Sequence, residues 1–593
     1  MSAVDLRAQP PQGERDRPPR RAEDATQATV WPWRLGVAVV LAVALGLRAW
    51  GVRHGMPYAY NADENAHFVP GAIGLFGHDL NPHYFVNPPA FTYLLHAVFA
   101  VWFGERTGVS DAYATDPDAV FVVARLTAAV LGTIAVGLVY LAGARLFDRR
   151  VGLLAAAVMA VAFLPVFYGK LALNDVPTLA PIALSLWGTA GILRRGWALD
   201  HLIAGVGLGL ACATKYTGGI VLLPLVTAAL LADRPTGRAL RMLGLAVLAA
   251  AVAFFVANPY SVLDFDAFRD GLQHQSDAAG DELGKLGLGH ENGWAYYAWT
   301  TTWGLGWAPA LLALAGLGFL AREDRRALAV LAPAPLLFVV FMGSQERYFG
   351  RWLLPVFPVA CLLAAYAVVR LVELAGARRP RLVPALAATG AVVLCGQGLI
   401  YAVHSGLVMS REDTRNLTRS WLVANVPERG RIVVEPVVPD AWATDIGHPS
   451  PLTANGARWV KFPTSRSNIA NDGSRIPGEG RIVNIEDYER TLFPGLIDRY
   501  EAKGYCHVIS GSTQRGRAEA DPQEVPRAIA YYRELERRAD LVFQATPFRR
   551  GADPVPFSFD FSFNFYPLGY ERPGPVMQVW RLRGGRCARL SSA

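Results

Sequence analysis

The feature that most constrains the fold of this chain is a series of long apolar segments between Trp31 and Val403. A helix needs about 20 apolar residues to cross a bilayer. Only 18% of the residues are charged, against about a quarter in ordinary soluble domains. We therefore predict a polytopic α-helical membrane protein with about eleven spans. The predicted spans are 31–52, 120–143, 151–169, 177–193, 201–214, 217–231, 242–257, 297–320, 327–343, 353–372 and 382–403.

The two ends of the chain differ in composition from this membrane domain, which we place at 31–405. Residues 1–30 are rich in Pro and Arg and almost free of apolar side chains, which predicts a disordered cytoplasmic tail. Residues 406–593 have the patterns of a small α/β domain, to which we assign an accessory role in acceptor binding. Its predicted strands are Arg431–Glu435, Tyr505–Ser510 and Val576–Leu582, its predicted helix is Pro526–Arg538, and its aromatic run Phe557–Tyr566 is either core or a glycan contact.

Arginines are concentrated in alternate breaks between the predicted spans. Cytoplasmic loops of membrane proteins carry an excess of Lys and Arg, so the pattern predicts a cytoplasmic N-terminus and an extracytoplasmic C-terminal domain. The net charge of +8 follows this bias, and no nucleic-acid partner is expected. The arginine-rich breaks contain Arg145, Arg149 and Arg150, then Arg194 and Arg195, Arg234, Arg238 and Arg241, Arg322, Arg325 and Arg326, and finally Arg378, Arg379 and Arg381.

Three acidic residues lie on the predicted outer side. Asp63 and Glu64 follow the first span, and Asp175 stands in a short loop between two later spans. Carboxylates at the mouth of a helix bundle can bind a hard cation or activate a hydroxyl nucleophile, whereas an acidic pair at a membrane surface is often only solvated. Asp63 and Glu64 point about 100° apart on a helix, so they cannot share one role. We take all three as catalytic candidates.

Basic and polar groups occur at a similar depth. Arg347 and Arg351 form a dense patch just before a span, and Lys215 interrupts an apolar run. Arg suits phosphate because its planar fork donates two parallel hydrogen bonds, although interfacial anchoring explains any single Arg equally well. We predict that Lys215, Arg347 and Arg351 contact an anionic lipid head group. Other groups on this side are His67, His83, Lys170, His274 and His290.

Several of these motifs together resemble a known family. Asp63-Glu64, Gly77–Pro82 and Tyr84–Pro89 look like the first outer loop of the GT-C glycosyltransferases. The most similar branch is the protein mannosyltransferase-like group, which is similar to the lipid A aminoarabinose transferases. Further matches, in the expected order, are Tyr168, Leu173–Pro177, Thr214-Lys215-Tyr216, Arg347-Tyr348 and Leu354-Pro355.

The resemblance implies a transferase that uses a polyprenyl-phosphate-linked sugar donor. It implies that Asp63 is the general base for an acceptor hydroxyl, and that Asp175 positions a metal or the acceptor. Lys215 and Arg347 would contact the donor phosphate. The acceptor is left open between protein, lipid and polysaccharide. In the first outer loop, Glu64–Gly74 has helical character and Pro88–Gly104 is apolar, aromatic and too short to span. This pattern predicts interfacial helices that frame a lateral entrance for a lipid, with a surface-packed loop as the alternative.

The chain departs from the aminoarabinose transferases at one place. A Glu-Lys pair of that family is replaced here by Val86 and Asn87, so the zinc site and the lipid A substrate do not carry over. The cofactor is therefore unknown and a divalent metal is left open, with Asp63, Asp175 and His274 as candidate ligands.

Two other function classes compete with the transferase. A transporter or flippase of a lipid-linked sugar would also hold charges in its spans, but the chain shows no internal repeat of broken helices. A receptor would need only its outer domain, and about eleven spans are excessive for an anchor. Cys506 and Cys587 either form a disulfide in an exported domain or remain free thiols.

Overall fold

The structure, a computed structural model, describes residues 20–77, 79–232, 236–279, 286–287, 292–345, 347–445, 457–464, 483–485, 487–552, 555, 557 and 568–590. Most of the predicted N-terminal tail lies outside these ranges. From Arg20 onward the chain is helical, so the first helix begins N-terminal to the first predicted span. The stretch between Pro19 and Pro32 contains neither Pro nor Gly, which lets the first helix extend toward the N-terminus.

Each of the eleven predicted spans coincides with a helical segment. Several of these segments include π-helical or 3₁₀ turns, among them Tyr216–Val221, Thr302–Gly306 and Gly350–Val356. The helices of this part of the chain are α1 (Arg20–Ala49), α2 (Val69–Gly74), α3 (Ala90–Phe103), α4 (Arg106–Thr115), α5 (Pro117–Leu146), α6 (Arg149–Val161), α7 (Phe163–Tyr168), α8 (Leu179–Arg194), α9 (Ala198–Thr214), α10 (Leu222–Leu231), α11 (Thr236–Ala257), α12 (Tyr260–Leu263), α13 (Phe265–Ala279), α14 (Gly293–Thr301), α15 (Trp307–Glu323), α16 (Arg325–Leu331), α17 (Pro333–Gly343), α18 (Phe357–Arg378) and α19 (Val383–Met409).

Length and composition single out some of these segments as membrane-crossing. Among the described residues, 6 helical segments are long and apolar enough to cross a membrane. Four further apolar helices are shorter, including Leu179–Arg194 and Ala198–Thr214. The six long segments are Pro117–Leu146, Gly237–Ala257, Gly293–Glu323, Arg325–Gly343, Gly350–Arg378 and Pro380–Asn425.

The first outer loop is built from helices, as its pattern predicts. A π-helical turn at Glu64–Phe68 leads into α2. Helix α3 buries Phe91, Leu95 and Phe99 on one face and exposes Trp102 at its end. An amphipathic helix of this kind suits the membrane interface.

The C-terminal region forms a five-stranded mixed sheet in the order β2-β1-β3-β5-β4. Strand β1 pairs in parallel with β2 and β3, and β5 pairs antiparallel with β3 and β4. The strands are β1 (Arg431–Val434), β2 (Val460–Lys461), β3 (His507–Gly511), β4 (Ala539–Ala545) and β5 (Met577–Leu582), and the helices are α20 (Thr414–Asn425), α21 (Tyr488–Thr491), α22 (Leu496–Lys503), α23 (Ser512–Ala520), α24 (Pro526–Arg538) and α25 (Gly585–Leu590).

The sequence patterns locate β1, β3, β5 and α24 within two residues of their observed bounds. Strand β4 escapes prediction because it follows α24 without an intervening turn. Cys506 and Cys587 form a disulfide, which resolves the choice between a bridge and free thiols. Of the predicted aromatic run, only Phe557 belongs to the described residues, and it lies against Gly516.

Candidate active site

Asp63 stands at the start of the π-helical turn in the first outer loop. The Asn61 side-chain oxygen accepts hydrogen bonds from the backbone N–H groups of Asp63 (3.0 Å) and Glu64 (3.3 Å). The Asp63 Oδ2 atom lies 2.8 Å from the guanidinium of Arg351, and the Asp63 side chain is one-third exposed. Arg351 belongs to the 3₁₀ turn that opens a late span, so this pair joins two distant parts of the sequence.

The surroundings of Asp63 keep its carboxyl ionised. Burial by itself would raise the pKa of Asp63, but the positive charge of Arg351, with His67 and Lys215, lowers that pKa below its ordinary value. A carboxyl with a depressed pKa is deprotonated at neutral pH. Asp63 can therefore accept a proton there.

A second ion pair lies beside the first. Asp175, in the loop between α7 and α8, is buried and pairs with Lys215 at the C-terminal end of α9. The charge of Lys215 also acts on Asp63, and the charge of Asp175 acts on Arg351. The two acid–base pairs thus form one cluster, supplied by four segments that are far apart in sequence.

The loop that contains Asn87 closes one side of this cluster. Tyr84 stacks on His67 with ring centroids 4.8 Å apart, and the Asn87 amide donates to the Tyr84 hydroxyl (3.1 Å). The Asn174 amide, next to Asp175, donates to the backbone oxygen of Thr214 (2.9 Å) and reaches the Asn87 side-chain oxygen at 3.5 Å. Asn87 therefore supplies neutral hydrogen bonds where the aminoarabinose transferases carry a charged pair.

Glu64 occupies a different environment from Asp63. Its carboxylate is fully buried and accepts two hydrogen bonds from Arg125 (2.8 and 2.9 Å) and one from the backbone N–H of Ala172 (2.7 Å). Arg125 also donates to the backbone oxygens of Val52 and His54. The Glu64 carboxylate is thus held in a buried ion pair, and its catalytic role stays a prediction from the sequence.

The remaining predicted cations divide into two groups. The Arg347 guanidinium lies over the Phe349 ring (5.1 Å), as does that of Arg351 (5.4 Å), so both stand near one another. Lys170 instead is fully buried and donates to the backbone oxygens of Leu47 and Trp50 at the end of α1. Lys170 thus forms hydrogen bonds with the C-terminal end of α1. His290 lies outside the described residues.

The candidate metal ligands do not converge. Across the part of the chain that the structure describes, no group of three or more His, Cys, Asp or Glu side chains is placed to hold a metal ion. Asp63 and Asp175 each pair with a cationic side chain, and His274 is exposed on α13. Side chains already neutralised by Arg and Lys do not fit a preformed metal site, so we assign no step to a metal.

Comparisons with known proteins show which folds this chain is similar to. Residues 118–262 match the family described as dolichyl-phosphate-mannose-protein mannosyltransferase. ArnT from Cupriavidus metallidurans in the apo state is similar over 84% of this chain and 95% of its own, with 13% identity and a TM-score of 0.52. At this identity the match shows that the two proteins share a fold, and the GT-C resemblance of the sequence extends to the structure. The predicted resemblance is therefore confirmed.

A second solved structure has similar coverage. The apo oligosaccharyltransferase of Archaeoglobus fulgidus covers 87% of this chain and 73% of its own, with 14% identity and a TM-score of 0.49. No curated protein sequence matches this chain. The matched family region contains Asp175 and Lys215 but neither Asp63 nor Arg351, so the structure alone brings these four residues together.

Sequence reasoning missed the partner of Glu64. Arg125 lies within a predicted span, and an arginine at that depth is itself a sign of a paired acid. It also missed Tyr84 and Asn87 as neighbours of the acids. No pattern in the sequence indicates their contacts, since both fall in an irregular loop.

Proposed function

We propose that the protein transfers a sugar from a polyprenyl-phosphate carrier to a hydroxyl acceptor on the extracytoplasmic side of a membrane. The observation that carries this proposal is the cluster in which Asp63 pairs with Arg351 beside the Asp175–Lys215 pair. A base and two fixed cations are the groups that transfer from a phosphate-linked donor requires. The matched family description names a dolichyl-phosphate-linked sugar, which is a donor of this class.

The cations would hold the donor phosphate. Arg351 and Lys215 are on the same side of the bundle as Arg347, and both arginines share the Phe349 ring as a neighbour. A guanidinium binds phosphate through two parallel hydrogen bonds, and Lys adds a compact charge. As the sugar leaves, these groups stabilise the negative charge on the departing polyprenyl phosphate.

Asp63 would act as the general base. The acceptor oxygen forms a bond to the anomeric carbon while the bond from that carbon to the phosphate oxygen breaks. The acceptor proton goes to Asp63, and the electron pair of the broken bond leaves with polyprenyl phosphate. A single base suffices for an in-line displacement, which inverts the anomeric centre and needs no second carboxylate as a covalent nucleophile.

Donor binding would also change the basicity of Asp63. In the structure Arg351 pairs with Asp63 and lowers its pKa. A phosphate that engages Arg351 would weaken this pair, and the burial of Asp63 would then raise its pKa. The base thus becomes stronger only when the donor is in place, which favours transfer over idle protonation.

Two observations support the extracytoplasmic side. Disulfides persist mainly in oxidising compartments, and the C-terminal domain contains the Cys506–Cys587 bridge. The arginine-rich breaks lie at the other end of the bundle, in agreement with a cytoplasmic location. The acceptor class, whether protein, lipid or glycan, is not part of the proposal.

Release of polyprenyl phosphate tests this function. Purified wild type, Asp63→Asn and Asp79→Asn are incubated with labelled polyprenyl-phosphate sugars and native membrane extract. Asp79 is the matched control because it lies in the same outer loop, is 63% exposed and lies 3.7 Å from His83. We expect release by wild type and Asp79→Asn, and loss of release in Asp63→Asn.

Two other outcomes are informative. Equal release by Asp63→Asn and wild type would keep the transferase and reject Asp63 as its base. If intact wild type released nothing from any donor but moved a lipid-linked sugar across vesicles, the protein would be a flippase. The assay therefore separates the enzyme from its main competitor.

A further inference from the structure

The segment that leads into Asp63 is held by the C-terminal domain. Tyr60 lies three residues before the proposed base, and its hydroxyl donates a hydrogen bond to the side-chain oxygen of Asn416. The Asn416 amide in turn donates to the backbone oxygen of Met56 (2.8 Å). Asn416 lies on α20, so one side chain of the C-terminal domain forms hydrogen bonds with the first outer loop at two positions.

Two arginines of the same helix form further contacts with the first outer loop. The Arg415 guanidinium lies 3.7 Å from the centre of the Tyr60 ring, and that of Arg419 lies 5.4 Å from the Tyr58 ring. Arg415 is itself fixed by two hydrogen bonds to Asp413 (2.8 and 2.7 Å). Cation–π contacts between fixed partners stabilise an arrangement that loose surface arginines would not.

The same surface is joined by apolar packing. Tyr58 belongs to a buried apolar cluster in the C-terminal domain. The cluster includes Leu422 of α20, Val426 just after that helix, and Val579 of β5. Buried aromatic side chains contribute most of the energy in such contacts. The outer loop is therefore packed into the core of the C-terminal domain and does not merely touch it.

The backbone from Ala59 to Asp63 has little conformational freedom. Ala59 has a positive φ of 44°, a conformation that costs a non-glycine residue energy unless its surroundings hold it. Its backbone oxygen accepts from Asn65 (2.6 Å), and the Asn61 side chain caps Asp63 and Glu64. A shift of Tyr60 would therefore be passed directly to Asp63.

We propose that Tyr60 and Asn416 are positioning residues through which the C-terminal domain sets the orientation of Asp63. The C-terminal domain is then a part of the catalytic machinery and not only a surface for the acceptor. Its kinetic consequence rests on the proposed transferase function, whereas the physical contact does not. Neither residue touches the reacting atoms.

The test uses the full chain in detergent, with two variants and one control. Tyr60→Phe removes only the hydroxyl, and Asn416→Ala removes both hydrogen bonds. Asn425→Ala is the matched control. Asn425 is an exposed residue of the same helix, and its side-chain amide donates a hydrogen bond to the backbone oxygen of Trp421 in that helix. Two quantities are measured: the kcat and donor KM of transfer, and hydrogen exchange of residues 56–68.

We expect kcat to fall about 10- to 100-fold in Asn416→Ala, since a misplacement of about 1 Å can cost that much. The donor KM should stay within about twofold, because the phosphate-binding cations are untouched. Tyr60→Phe should lower kcat less, and its effect should not add to that of Asn416→Ala, since both remove one shared bond. Exchange at residues 58–66 should rise in both variants and not in Asn425→Ala.

The two readouts distinguish the possible failures. Faster exchange with unchanged kcat, or a rise in donor KM without a fall in kcat, would overturn the positioning role. Unchanged exchange in both variants would overturn the contact itself. If wild type proves to have no transferase activity, the proposed function fails, and the exchange measurement alone then decides whether the C-terminal domain holds the Asp63 segment.

Discussion

The two ends of the helix bundle use their charges differently. At the arginine-rich end, Arg194 pairs with Asp324 and Arg150 pairs with Glu373, and these four side chains are 22–55% exposed. At the opposite end, Glu64 and Arg125 are both 0% exposed. The Arg194–Asp324 and Arg150–Glu373 pairs are thus in contact with solvent, whereas the Glu64–Arg125 pair is enclosed by protein.

This difference in burial separates two structural tasks. At the arginine-rich end each pair joins the ends of neighbouring helices, where water screens the charges and each pair is worth little. At the other end the pairs join loops that are remote in sequence, as Asp63 and Arg351 show. Enclosed charges are costly unless paired, so these loops must meet in one arrangement, and that arrangement is the candidate site.

The largest expected difference between the two ends is in catalysis. Asp63→Asn should lower kcat about 10²- to 10⁴-fold, the usual contribution of a general base. Asp324→Asn at the arginine-rich end should leave kcat within about twofold, because that side chain caps a helix and pairs with Arg194 far from the site. Steady-state transfer rates of both variants check this, and similar losses would contradict the division of tasks.

The next largest effect concerns stability. Arg125→Ala should lower the free energy of unfolding by about 3–5 kcal/mol, since it leaves the buried Glu64 carboxylate without its partner. The double variant Arg125→Met, Glu64→Leu should recover much of the loss, because it removes both charges. Thermal unfolding in detergent measures both, and a double variant no more stable than Arg125→Ala would argue against the buried ion pair as the cause.

A pH profile sharpens the comparison within the outer end. Arg351 lowers the pKa of Asp63 while burial raises it, so removal of the guanidinium should raise that pKa. In Arg351→Gln the acidic limb of kcat/KM should therefore move to higher pH, since the base becomes protonated at a higher pH. Arg150→Gln is the control with no expected movement. An unshifted limb in Arg351→Gln would mean that another group controls it.

The smallest effect is expected at the arginine-rich end. Arg194→Ala should change the free energy of unfolding by less than about 1 kcal/mol, as is usual for a partly exposed ion pair. The same thermal assay in detergent measures the change. A loss as large as that of Arg125→Ala would show that exposure does not separate the two ends.

Much of the helical framework could be predicted from the sequence. The eleven apolar segments coincide with helices, and α24 has the bounds that its pattern predicts. Hydrophobic periodicity is a local property, which explains this success. The first helix, however, begins at Arg20, eleven residues before the first predicted span.

The candidate site was only partly predictable. Asp63, Asp175, Lys215 and Arg351 were selected from residue type, position and resemblance, and the structure places them in one cluster. Glu64 was selected on the same grounds and proved to be buried against Arg125. Adjacent residues on a helix point in different directions, so sequence proximity to Asp63 could not reveal which carboxylate faces the cations.

The sequence by itself determined which segments are apolar enough to form helices and where charges break them, because both depend on local composition. Only the tertiary structure decided which charges meet. Glu64 with Arg125, Asp63 with Arg351 and Tyr60 with Asn416 are separated by 61 to 356 residues along the chain. Such pairs form because a buried charge or hydroxyl must find a partner wherever the folded chain brings one near.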